Sequence, residues 1–200
     1  MSLGLYISLK VFACYIIILK GFYVYRKWGN TTIWCRRHHT FTTKFKDMPG
    51  TYSQIYIQTI FAVKGRESLI AQDWEEKLYK YITGIVQKKE QKMLAINGMP
   101  DHIHFFIGMR PSCCLSDLVR EIKKSSNDFI KENKLSKFPF AWQEGYGAFS
   151  YSHSQLDSVI AYIMNQKEHH RKKTFKEEYT GFLKKFNVQY EEKYLFDWIE

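Results

Sequence analysis

Between residues 52 and 63 the run Tyr-Ser-Gln-Ile-Tyr-Ile-Gln-Thr-Ile-Phe-Ala-Val alternates, with Ile55, Ile57 and Thr59 set against Tyr56 and Gln58. A period of two in β-branched and aromatic residues predicts a strand. The period then changes. Over residues 72–88, Trp74, Leu78, Tyr81, Ile82, Ile85 and Val86 recur at three- and four-residue steps, which predicts an amphipathic helix. A short strand follows at 92–97. The turn residues Gly98-Met99-Pro100-Asp101 then lead into a second apolar run at 102–109, so the two should pair as an antiparallel hairpin. Leu118, Val119, Ile122, Phe129 and Ile130 mark another helix over 115–133, with Ser116 available as its cap. A fourth strand is expected at 146–152, and a third helix from Ser154 to about Lys172. Phe175, Tyr179, Leu183 and Phe186 then carry the same spacing into a further helix. Residues 191–200 give no reading.

The order strand, helix, strand, strand, helix, strand is the split βαβ arrangement. The expected fold class is therefore α+β: a two-layer ferredoxin-like sandwich with an antiparallel sheet, plus an added C-terminal helix.

Composition adds a partner class. The 200 residues hold 30 Lys plus Arg against 20 Asp plus Glu, a formal net charge of +10, and 17% are aromatic. A basic surface interleaved with rings points to phosphate-bearing partners such as nucleic acid. No glycine-rich phosphate loop is present, so a nucleotide cofactor is not expected. Cys14, Cys35, Cys113 and Cys114 show no Cys-x-x-Cys spacing, which suits a reducing, cytoplasmic setting. Residues 48–200 read as one domain. Residues 1–47 read as an extension, with an over-long start ahead of Met48 as the preferred account. The uncharged run from Val11 to Leu19 lies between Lys10 and Lys20 and is too short to cross a bilayer, so it is at most a weak membrane segment.

The candidate chemistry lies in the second strand of the hairpin. Side chains alternate along a strand, so His102 and His104 face one way and form a platform for a metal, while Ile103 packs behind. A bare His-x-His pair also serves structural roles. Sixty residues later, Tyr162 and Gln166 stand four apart, on one face of the third helix. Gln166 offers an oxygen to a hard cation, and Tyr162 offers a nucleophile that needs electrostatic help to attack phosphorus. On its own Tyr162 is equally a ring packed on a sheet. Asp101 reads first as a turn residue capping its own backbone, and second as a group that orients a histidine.

The segment Met99-Pro100-Asp101-His102-Ile103-His104-Phe105-Phe106 resembles the His-hydrophobe-His motif of HUH single-strand DNA endonucleases, in the form found in single-tyrosine, IS200-like transposases. Trp142-Gln143-Glu144-Gly145-Tyr146-Gly147-Ala148-Phe149-Ser150 is similar to the same family, as is Tyr162-Ile163-x-Asn165-Gln166-x-Glu168-His169-His170. The resemblance implies that His102, His104 and Gln166 hold Mg²⁺ or Mn²⁺. Two imidazoles and an amide oxygen suit Mn²⁺ comfortably and Mg²⁺ less so. It also implies that Tyr162 attacks a phosphate of hairpin-marked single-stranded DNA, giving a 5′-phosphotyrosine link and a free 3′-hydroxyl that permit rejoining without ATP. A homodimer, with the tyrosine helix able to serve the partner, is implied as well. Lys123, Lys124 and Ser125 on the second helix are similar to the family's hairpin-binding surface, with Arg120 on the same basic face a further DNA-binding candidate, and a plain solvent-facing stripe is an equal reading. Arg171 and Lys172, with His169 and His170, read as a solvated basic face touching DNA phosphate. Trp142 and Tyr146 are either base-stacking rings or core. Three other functions remain: a domesticated hairpin-processing relative, a non-catalytic nucleic-acid-binding module with aromatics on an open sheet, although the aromatic ribonucleoprotein signature is missing, and a membrane-tethered basic protein that depends wholly on residues 1–47.

Overall fold

The computed structural model describes residues 52–192 and Leu195, without the side chain of Arg66; before residue 52 it describes only the backbone of four short strands. Those strands, Ile16–Leu19, Phe22–Lys27, Asn30–Trp34 and Phe41–Thr42, pair antiparallel in sequence order as a separate unit spanning residues 1–51. The expected start at Met48 and most of the suspected membrane segment lie outside the described residues. Among the described residues, no helix is long and apolar enough to cross a membrane.

From residue 52 onward the chain builds a four-stranded antiparallel sheet. Its strands are β1 (Tyr56–Ala62), β2 (Lys92–Met99), β3 (His102–Gly108) and β4 (Gly147–Tyr151), in the spatial order β2-β3-β1-β4. This is the order that the split βαβ pattern requires, with β1 and β3 at the centre. Register follows from the pairings Ile60 with His104, Ala62 with His102, and Asn97 with His104. The β2–β3 hairpin is tight at Gly98. A Cβ there would come within 2.3 Å of the His102 carbonyl oxygen and 2.8 Å of the Ile103 Cα, so only glycine lets the two backbones approach this closely.

Both faces of the sheet are covered, which corrects the two-layer expectation. Phe61, Val63, Ile103, Phe105 and Ile107 point to one face and pack under α1 (Glu75–Lys88) and α2 (Leu115–Glu132). Ile60, Ala62, Ala95, Phe106 and Phe149 point to the other, under α3 (Leu156–Met164) and α5 (Phe175–Lys185). The physical cause is that Ile60-Phe61-Ala62-Val63 and Phe105-Phe106-Ile107 are apolar on both sides of the pleat, which demands a helix layer on each. Between α3 and α5 lies the short α4 (Gln166–His169).

Helix ends differ from expectation. The N-cap of α2 is Cys114, not Ser116, and its thiol lies 3.1 Å from the Ser116 hydroxyl in the first turn. The turn before α3 is closed by Ser152 and Gln155 in a capping box, not by Ser154. The long third helix is broken at Asn165 (φ −98°, ψ 21°), and the Asn97 amide on β2 donates to the carbonyls of Ile163 (3.0 Å) and Met164 (2.9 Å) beside the break.

Candidate active site

His102 and His104 project from β3 toward α3 and α5, each almost fully buried. Their outer ring nitrogens are held. His102 Nδ1 donates to Asp101 Oδ1 at 2.7 Å, so its Nε2 carries the lone pair and faces inward. Asp101 thereby orients a histidine, the second of its two expected roles. On the other histidine, Gln58 Nε2 and His104 Nδ1 are 3.1 Å apart, and Tyr151 donates to Gln58 Oε1 at 2.8 Å. Turning the Gln58 amide over would make it the acceptor from His104 Nδ1–H and leave His104 Nε2 as a second inward lone pair. Burial lowers the His102 pKa to about 4 against the opposing pull of Asp101, so its ring is neutral at physiological pH.

Tyr162 and Gln166 reach the same place despite the break between α3 and α4. The Tyr162 hydroxyl donates to Glu178 Oε1, and Gln166 Nε2 donates to that oxygen at 3.1 Å. Burial, then the charge of Glu178, push the Tyr162 phenol well above its ordinary value, so it stands protonated. All four residues singled out for chemistry therefore meet around one buried carboxylate of the same chain.

Glu178, only 3% exposed, is a residue that sequence reasoning passed over. Its other oxygen, Oε2, lies 3.4 Å from His104 Nε2, 3.9 Å from His102 Nε2 and 3.2 Å from His170 Nε2. Burial pushes the Glu178 carboxyl up, but the neighbouring imidazoles, His104 first, and the Tyr162 hydroxyl outweigh it and hold the group ionised. One signal was available. Glu178 falls three residues after Phe175 and four before Phe182, inside the apolar stripe of α5, where a charged residue is out of place.

His170 corrects the reading of a solvated basic face. Its side chain is 7% exposed, and its Nε2 faces His102 Nε2 at 3.1 Å. His169 is half-buried against the Tyr162 ring. Within this cluster His104 Nε2, Gln166 Oε1 and Glu178 Oε2 are buried without a well-formed hydrogen bond. Acceptor atoms left unsatisfied in a dry site are costly, and a cation is the group that satisfies several at once. The donor set of imidazole nitrogen, carboxylate and amide oxygen fits a divalent metal.

The basic candidates are dispersed. Arg120 and Lys124 are exposed on α2, which covers the opposite face of the sheet from the histidines, and Arg120 pairs with Asp117 at 2.6 Å. Lys123 turns inward, donating to the carbonyls of Gln143 (2.7 Å) and Gly145, with its ammonium over the Phe61 ring. Arg171 and Lys172 are exposed just beyond α4, with Arg171 paired to Glu168. Trp142 is core: it stacks edge-on against Phe61 at 4.7 Å and donates to Ser126 Oγ at 2.8 Å.

The family described as Transposase IS200 like matches residues 51–166. The fold resembles the crystal structure of a candidate transposase from Deinococcus radiodurans R1, at 22% identity and a TM-score of 0.50, over 60% of this chain and 97% of that one. It is also similar to a REP-associated tyrosine transposase solved with a REP hairpin, at 16% identity and a TM-score of 0.48, over 62% of this chain and 73% of that one. No curated protein matches.

Proposed function

Because the chain belongs to the IS200-like transposase family, whose match spans residues 51–166, we propose that it cuts and rejoins single-stranded DNA at hairpin-marked ends through a covalent link to Tyr162. The observation that carries this reading is the meeting of the Tyr162 hydroxyl, the His102–His104 pair and Gln166 around Glu178, within one chain.

In this reading His102, His104 and Gln166 hold Mg²⁺ or Mn²⁺, with Asp101 fixing the His102 ring from behind. A bound divalent cation would polarise the non-bridging oxygens of the scissile phosphate. The Tyr162 oxygen forms a bond to phosphorus as its proton passes along its hydrogen bond to Glu178 Oε1 and on to solvent. The bond from phosphorus to the 3′-oxygen breaks, and that oxygen takes up a proton as a free hydroxyl. Attack by a DNA 3′-hydroxyl on the phosphotyrosine reverses the exchange, so the phosphodiester energy is conserved and no nucleotide is consumed. The packing of Tyr162 between His104 and Phe182 holds the phenol on one trajectory. Residues 48–200 act as the single catalytic domain. The homodimer expected for such enzymes serves to bring two DNA ends together, because no partner residue is needed to complete this cluster. Arg120, Lys124, Arg171 and Lys172 supply phosphate contacts.

The reading as a non-catalytic base-stacking module has no support here, since helices cover both faces of the sheet. The test is direct. Purified protein with Mn²⁺ or Mg²⁺ and a hairpin-bearing single-stranded oligonucleotide should form an adduct that survives denaturation. Tyr162→Phe should abolish it, and an adduct persisting in that variant overturns the assignment of the nucleophile.

A further inference from the structure

The matched segment ends at residue 166, whereas two of the groups that face the histidine pair, His170 and Glu178, come after it. We propose that His170 and Glu178 are ligands of the same cation, joining His102, His104 and Gln166 in a site of three imidazoles, one carboxylate and one amide oxygen that favours Mn²⁺, the better imidazole binder, over Mg²⁺. This rests on the reading above only in assuming that the cluster takes a divalent cation.

Geometry supports it first. One ligand atom from each of His102, His104, His170 and Glu178 lies within 4.8 Å of every other, close to the span of donors around one ion at bonds of about 2.1 Å. The His102 and His170 Nε2 atoms face each other at 3.1 Å; with His102 Nδ1 donating to Asp101 the His102 lone pair points to the common position, and His170 joins it in the tautomer that carries its proton on Nδ1. Charge supports it next. Among the described residues, the partners of Glu178 are imidazoles, a phenol and an amide, and none carries a permanent positive charge. A buried carboxylate without a fixed cation is expensive to maintain, and a bound metal offsets that cost. One carboxylate against a doubly charged ion leaves the site net positive, as capture of a phosphate requires.

The local fold supplies the rigidity. The Thr174–Glu177 capping box starts α5, and Phe175, Tyr179, Phe182 and Leu183 anchor it to the sheet, so Glu178 is carried between buried neighbours. Phe175 also packs on the His102 ring at 4.1 Å. Glu178 Oε1 meanwhile receives the Tyr162 hydroxyl, so one carboxylate ties the nucleophile to the metal position.

The experiment is a titration of the full chain with Mn²⁺ in the absence of DNA, following the free-ion electron paramagnetic resonance signal. Glu178→Gln, which keeps the shape and removes the charge, and His170→Ala should each weaken Mn²⁺ binding by at least about 10-fold. His102→Ala should remove it. Spin-echo spectra of Mn²⁺ on the unaltered chain should show coupling to three imidazole nitrogens. If Glu178→Gln and His170→Ala bind Mn²⁺ like the parent while His102→Ala does not, or if only two nitrogens couple, this inference falls and the cation reading stands. If the unaltered chain binds no Mn²⁺, both fall.

Discussion

The two faces of the sheet, built from alternate residues of the same strands, do opposite things. Under α1 and α2 the strands present Phe61, Ile103, Phe105 and Ile107 to a closed apolar core. Under α3 and α5 the same strands present Gln58, His102 and His104, and several of the polar atoms there find no proper partner. A strand segment of seven residues thus carries a stabilising face and a face whose buried polar atoms cost stability. On the proposed function, activity draws on stability supplied one residue away, so changes on the two faces should separate cleanly.

The largest separation should come from His104→Ala. Strand cleavage is expected to fall below detection in single-turnover assays, on the order of 10³-fold or more, while the melting temperature stays close to the parent's. Phe105→Ala, its immediate neighbour on the closed face, should do the reverse. Loss of a buried phenylalanine costs about 3–5 kcal/mol, and chemical denaturation should show that loss while the remaining folded protein cleaves at the parental rate. A reduced rate per folded molecule would mean that the two faces are coupled. Gln58→Leu should act more mildly by releasing the His104 ring: a loss of roughly 10–100-fold in cleavage, partly restored by Gln58→Glu, which can accept from His104 Nδ1. A Leu variant as active as the Glu variant would deny Gln58 that role.

The smallest effect concerns the closed face alone. Burial lowers the Lys123 pKa from 10.5 to about 8. Between those values the unfolded chain binds the proton that the folded one has lost, so stability should rise as pH increases from about 8 toward 10.5. The cost is fully present below pH 8. Melting curves across that window should show the rise, and Lys123→Met should flatten it.

Much of this was legible in the sequence. Strand patterning and helical spacing gave the sheet order, because residues buried on a pleat or a helical stripe must repeat at the period of the backbone. The alternation rule placed His102 and His104 together, and four-residue spacing placed Tyr162 with Gln166. Helix ends were less legible, since Ser116 and Ser154 have the right chemistry yet Cys114 and Ser152 have the right backbone position. His170 was hidden by its basic neighbours, which resemble a solvated run until the turn after α4 folds one imidazole back into the cluster. Lys123 was read as surface because carbonyl acceptors twenty residues away leave no local mark. Glu178 left a trace as a charge in an apolar stripe, but its partners come from three other elements, and only tertiary contact brings them together.

The histidine pair, the phenol and the carboxylate belong to a single chain, and that has a kinetic consequence. On the proposed function, a cluster complete in one copy would make the nicking rate proportional to the first power of protein concentration, and dilution would leave the activity per molecule unchanged. A cluster shared between copies would instead fade with the square. A cell holding only a few molecules would then retain the full per-molecule capacity to nick a strand, with pairing of copies needed only when two ends must be joined.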